Sequence, residues 1–198
     1  FSRNDITDVF LTHLHFDHCG GAVRWNSSKT GYELSFPNAR YWSNEAHWNW
    51  AIHPNAREKA SFLKENLLPV QESGQLHFVS RDIGSFQKNT ALGFDVLFVD
   101  GHTEKQMIPH INYKGKTLVF MADLLPTVGH LPLPYVMGYD IRPLETLTEK
   151  GLFLDYAANN NSLLFMQHDA KNTLITVKHT DRGVRLNESL PFNSLNQL

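Results

Sequence analysis

Apolar and polar residues fall along the chain in blocks whose length and period predict a run of strands and helices. Asp8-Val-Phe-Leu-Thr12 is rich in strand formers and enters a polar His/Asp cluster followed by Gly20-Gly21, which predicts a strand, a site-bearing turn and a helix. Between Asn44 and Leu68 the spacing predicts two helices, with Pro54 as the break and Pro69 as the end. Strands follow at 76–80, 94–100, 108–113 and 117–122, the last two joined by a turn at Lys114-Gly115-Lys116. Pro126, Pro132 and Pro134 mark a loop that cannot be a central strand. Residues 143–158 then read as a helix, 162–167 as a buried strand, and 173–187 as a hairpin around Asp181-Arg-Gly183. Strands alternating with helices predict one layered α/β or α+β domain over residues 1–198, with a helical insertion at about 44–68.

Composition narrows the function. With 198 residues, 41% of them apolar, the chain can bury a full core. The net charge of −2 supplies no basic field, which argues against a nucleic-acid partner and for a small-molecule substrate. The apolar runs have strand length, short of the roughly 20 residues of a membrane-spanning helix. The single cysteine, Cys19, excludes an internal disulfide and a thiolate-rich zinc knuckle, so the reducing cytoplasm is the expected compartment.

His13-Leu-His15-Phe-Asp17-His18 places four metal-competent side chains within six residues at a strand end. Residues two apart on an extended backbone share a side, so His13 and His15 can converge on one ion, and the turn that follows can bring Asp17 and His18 to a second. Imidazole and carboxylate donors suit borderline or hard divalent ions. Four local ligands do not complete a two-ion site, so further His or Asp residues are expected where later strands end. His102, Asp123 and His168 each follow an apolar strand-like run.

Taken together, Thr12-His-Leu-His-Phe-Asp-His-Cys-Gly-Gly21, Gly101-His102-Thr103, Ala122-Asp123 and His168-Asp169 resemble the metallo-β-lactamase superfamily in order and relative spacing. The resemblance implies an αββα four-layer sandwich, of which this chain lacks the first strands, and two divalent cations. Zinc is the expected metal, with manganese, iron or cobalt as substitutes. His13, His15 and His102 would bind the first ion, Asp17, His18 and His168 the second, and Asp123 would bridge. It also implies a hydrolase in which the paired ions share a hydroxide that attacks the substrate; Asp17 orients that hydroxide and carries a proton, or serves as a plain ligand. The nearer resemblance, through 36–42 and Ala122–Tyr135, is to the lactonase and organophosphate-hydrolase-like branch, although Pro126 stands where lactonases of the family usually carry tyrosine.

The expected substrate is therefore a small ester or lactone. Thioester hydrolysis of the glyoxalase II kind and β-lactam hydrolysis are the alternatives, and a non-catalytic, metal-stabilised module is the reading from a different class. Thr103 and Asp169, next to ligands, are candidates to hydrogen-bond and orient the imidazoles. His130, Trp42 and Trp48 are candidates to face substrate, against the plainer expectation that the tryptophans pack a core. Cys19 reads as a small buried filler, and His47, His53, His77, His110 and His179 fit no ligand pattern. The missing sheet edge leaves room for another segment or a second copy, so a homo-oligomer stays open.

Overall fold

A computed structural model describes residues 1–81 and 84–197. The chain divides into two compact units, Phe1–Ser80 and Arg81–Leu198.

The first unit is built on a parallel three-stranded sheet. β1 (Asp8–Phe10) pairs with β4 (Arg40–Ser43), which pairs with β5 (Leu76–Phe78). A short antiparallel pair, β2 (Val23–Trp25) and β3 (Tyr32–Leu34), lies between them in sequence. The helices are α1 (Phe16–Cys19), α2 (Glu45–Ile52) and α3 (Lys64–Glu72). Its core gathers Leu11, Leu14, Tyr41, Trp48, Phe62, Leu67 and Val70.

Two local expectations fail here. The helix expected after the glycine pair is a single turn, α1, placed before it, because Gly20–Ala22 form a 3-10 turn that hands the chain directly to β2. The second helix of the insertion begins at Lys64 rather than near Ala56 and runs through Pro69 instead of ending there. Asn55 explains the late start: its Oδ1 accepts from the backbone N–H groups of Arg57 and Glu58, holding 55–61 as turns.

The second unit carries a seven-stranded sheet. In chain order its strands are β6 (Phe86–Gln87), β7 (Asp95–Val99), β8 (Gln106–Tyr113), β9 (Lys116–Phe120), β10 (Leu163–Phe165), β11 (Leu174–Thr180) and β12 (Gly183–Leu190), and they are neighbours in that same order. All pairings are antiparallel except β9 with β10. The β8–β9 turn has Lys114 and Gly115 both at positive φ, 50° and 80°, as a two-residue hairpin requires. Parallel neighbours need a long crossover, which α4 (Pro143–Asn159) supplies. Pro143 opens α4, where its missing N–H costs nothing. Phe153, Leu154 and Ala157 on α4 pack with Val99, Ile108, Val119, Leu164, Ile175 and Val177 of the sheet in one core. At roughly 1.5–3 kcal/mol for each large side chain buried, this layer dominates the unit's stability.

Gly101 lies where the end of β7 meets the start of α4. A Cβ there would stand 2.2 Å from Thr146 Oγ1 and 2.5 Å from Thr146 N, an approach closed to any other residue. Glu149 of α4 caps the same corner, accepting from Asp100 N (2.6 Å) and Gly101 N (3.0 Å). Burial pushes its carboxyl up to about 7 despite those two donors. No helix among the described residues is long and apolar enough to cross a membrane.

Gly101→Ala should lower unfolding free energy by about 1–3 kcal/mol or more, the usual cost of overpacking, measured by thermal or urea unfolding; wild-type stability would contradict the close approach. Since the folded pKa of Glu149 lies above the ordinary 4.5, the folded chain holds the extra proton between those values, and this group subtracts stability as pH rises from 4.5 to about 7. Glu149→Gln should flatten that fall in urea titrations run across the window, and an unaltered slope would count against the assignment.

Candidate metal centre

In the second unit the sheet itself delivers the three later candidate residues. β9 and β10 run parallel with Phe120 opposite Phe165, and Asp123 and His168 each lie three residues beyond those partners. β7 is antiparallel to β8 and β8 to β9, so β7 points the same way, and His102 lies three residues past its last member, Val99. All three therefore emerge at one end of the sheet. Ala122, at φ 40°, turns the chain sharply just before Asp123, a strained conformation of the kind that gathers at functional positions.

The geometry that results centres on Asp123. Its Oδ2 lies 3.1 Å from His102 Nε2 and its Oδ1 lies 3.0 Å from His168 Nε2, so one carboxylate faces an imidazole through each oxygen. His102 and Asp123 are buried, while the His168 side chain is 34% exposed. The other ring nitrogen of His102, Nδ1, lies 3.0 Å from Asp140 Oδ1.

In the first unit His13 lies three residues past Phe10, the end of β1, and His15 is the N-cap of α1, which carries Asp17 and His18. The rings of His13 and His15 have centroids 4.8 Å apart, and those of His13 and His18 are 3.9 Å apart. His18 Nε2 is 3.3 Å from Asp17 Oδ2. The side chain of His18 is nearly fully buried, whereas that of Asp17 is 45% exposed, which leaves one carboxylate of the motif open to solvent.

Two residues that sequence reasoning passed over stand against this motif. His47, given no role by its spacing, accepts the Leu14 N–H at Nε2 (2.8 Å) and so fixes the backbone between His13 and His15. Glu58 brings Oε1 to 3.3 Å from His15 Nε2, and its Oε2 accepts from Trp50 Nε1 and Asn55 Nδ2. Like Asp140, both lie far along the chain from the motif residues they touch, and no local pattern marks them.

Other expectations are corrected. Trp42 and Trp48 are buried in the first unit and packed, not open to a ligand: Trp42 Nε1 donates to Asp8 Oδ1, and Trp48 Nε1 donates to Gln71 Oε1. Asp169 holds no imidazole; it accepts from the backbone N–H groups of Val128, Lys171 and Asn172 and ties the loop after β10 to that after β9. Its carboxyl is held below the usual range: burial, the largest single influence, raises it, and the donated hydrogen bonds together outweigh that. Thr103 is fully buried beside His102. His130 is half-buried, with Nδ1 2.8 Å from Thr127 Oγ1, and burial followed by the Lys150 charge keeps its ring below the usual histidine range. Cys19 donates its thiol to Leu14 O, and burial pushes that thiol up to about 12, so it is a packed filler and no thiolate ligand.

Several solved structures share the fold. The chain is 25% identical to a probable metal-dependent hydrolase from Staphylococcus aureus (TM-score 0.74), covering 96% of this chain and 66% of that one. It is 23% identical to AidC, a dizinc quorum-quenching lactonase (TM-score 0.75, 96% and 67%). It is 19% identical to the hydrolase AbOPH of the β-lactamase superfamily (TM-score 0.75, 97% and 67%). The chain thus spans about two thirds of the length of these relatives. No protein among the curated sequences matches it. The model of the metallo-beta-lactamase superfamily matches residues 1–168, a stretch that runs from before His13 to His168, and the chain belongs to that superfamily.

Proposed function

We propose that this chain is a metal-dependent hydrolase of a small lactone or ester, using two divalent cations. The ligands are drawn from the opening motif (His13, His15, Asp17, His18) and from three later strand ends (His102, Asp123, His168). The observation that carries the reading is Asp123, whose two oxygens each face a different imidazole at 3.0–3.1 Å, as a carboxylate shared between two cations would.

The donor set fits that role. Imidazole nitrogens and carboxylate oxygens are the ligands of catalytic zinc sites, and the one sulfur nearby is withheld as a buried thiol. Zinc is accordingly the preferred ion, with manganese, iron or cobalt able to use the same donors. Bound cations supply Lewis acidity and make hydroxide available near neutral pH. The protein's own residues do the rest. Asp123 holds His102 and His168 in a fixed relation. Asp17, the exposed carboxylate of the set, can take a proton and pass it to the leaving oxygen. The neutral ring of His130, braced by Thr127, can hydrogen-bond the substrate from the loop after β9. One similar structure is a dizinc lactonase in complex with a product, N-hexanoyl-L-homoserine, which favours a lactone as the first substrate to try.

Stripping the metal with a chelator should abolish hydrolysis of a lactone and ester panel, and zinc should restore it. Rapid turnover of β-lactams or thioesters with none of lactones or esters would overturn the substrate class. Metal analysis should find two cations per chain, and Asp123→Ala should weaken their retention by more than the roughly 10–100-fold typical of changes outside the ligand set. Full retention by that variant would remove Asp123 from the ligands.

A further inference from the structure

α4 turns Thr146, Lys150, Phe153, Leu154 and Ala157 inward as one buried stripe, and Lys150 is the anomaly in it. Its side chain is 1% exposed, and a buried ammonium is costly unless it is fully hydrogen-bonded and faces an opposite charge. Lys150 Nζ donates to His130 O (3.0 Å) and Tyr135 O (2.5 Å), two carbonyls of the proline-rich loop between β9 and α4. Burial lowers its pKa, and the opposing influence is the charge of Asp140, the carboxylate at the far end of that loop.

Asp140 is itself fastened to the residues around His102. Ile141 N donates to His102 O (3.3 Å), Arg142 N donates to Gly101 O (2.9 Å), and the Arg142 guanidinium spans Asp100 O and Glu104 Oε2 (both 2.8 Å). The buried Asp140 carboxylate thereby meets His102 Nδ1 at 3.0 Å, while His102 Nε2 faces Asp123. An imidazole can present a lone pair to a metal at one nitrogen only when its proton sits on the other.

We propose that Lys150 and Asp140 are positioning residues for His102: the ammonium fastens, through the His130 and Tyr135 carbonyls, the loop that carries Asp140, and the Asp140 carboxylate keeps the proton of His102 on Nδ1 so that Nε2 is the metal-binding atom. This rests on the reading of His102 as a metal ligand. A packing function alone would have been met by an apolar residue at position 150, and the loop carbonyls could then have faced solvent.

The full chain is tested with zinc in four variants, reading zinc affinity by chelator competition, the His102 ring nitrogens by 15N NMR, and the unfolding of the metal-free protein. Asp140→Asn should weaken zinc binding by about 10–100-fold and remove the single Nδ1–H signature of His102. Lys150→Met should shift both readouts the same way. Lys150→Gln, a shorter side chain whose amide reaches the two carbonyls less well, carries the test if the methionine variant does not fold. Wild-type affinity and ring signals in Asp140→Asn would overturn the proposal, and wild-type values in the folded Lys150 variants would remove Lys150 from it. His102→Ala separates the two readings: zinc binding as tight as wild type in that variant would sink the ligand assignment itself.

Discussion

Parallel pairing of β9 with β10 is the constraint on which the second unit depends. It sets Phe120 opposite Phe165, and with that register Asp123 and His168 must leave the sheet side by side. A slip of one residue would turn one strand's side chains to the wrong face and separate Asp123 and His168 by a residue step. The pairing also obliges the chain to travel the length of the sheet between the two strands. α4 makes that journey, and its apolar stripe closes the core over β7 to β11. The same helix brings Thr146 against Gly101 and Glu149 onto the amides of Asp100 and Gly101, so the residues before His102 are held by the crossover as well.

Polar burial in this chain follows the same economy in both units. Glu58 and Asp140 are buried carboxylates, and each faces an imidazole of the proposed ligand set while using other donors nearby. Net gain from such bonds is modest, about 0.5–3 kcal/mol each, whereas leaving one partner unmet inside the protein costs at least as much. They therefore contribute more to orientation than to stability. His47 shows the principle without a charge: its Nε2 takes the Leu14 amide, which fixes the backbone that carries His13 and His15. His110 shows the opposite case, a buried histidine whose ring packs against Phe86, Phe153 and Tyr156 and which burial keeps neutral.

What could be read in advance was what is local. The strands from 94 onward, the Lys114-Gly115 turn, the crossover helix from Pro143 and the closing hairpin all have period, turn residues and length that belong to the segment itself. The seven proposed ligands stood out because their chemistry is rare at such spacing and because three of them follow strands. The short strands Val23–Trp25, Tyr32–Leu34 and Phe86–Gln87 were not, since two or three residues carry no period. The late start of α3 and its passage through Pro69 depended on Asn55 winning the backbone N–H groups of Arg57 and Glu58, a competition invisible to helix propensity.

By itself, then, the sequence determined the superfamily, the order of the longer elements and the donor types on offer, because each rests on short segments whose period and chemistry are their own. Tertiary structure decided which nitrogen of His102 meets Asp123 and which meets Asp140, that Trp42 and Trp48 fill the core, that Asp169 ties loops, and that a lysine could be buried in α4. Those outcomes depend on groups tens of residues apart arriving within about 3 Å of one another, at hydrogen-bonding distance. Strand register and the crossover set those distances, and no single segment of the chain contains them.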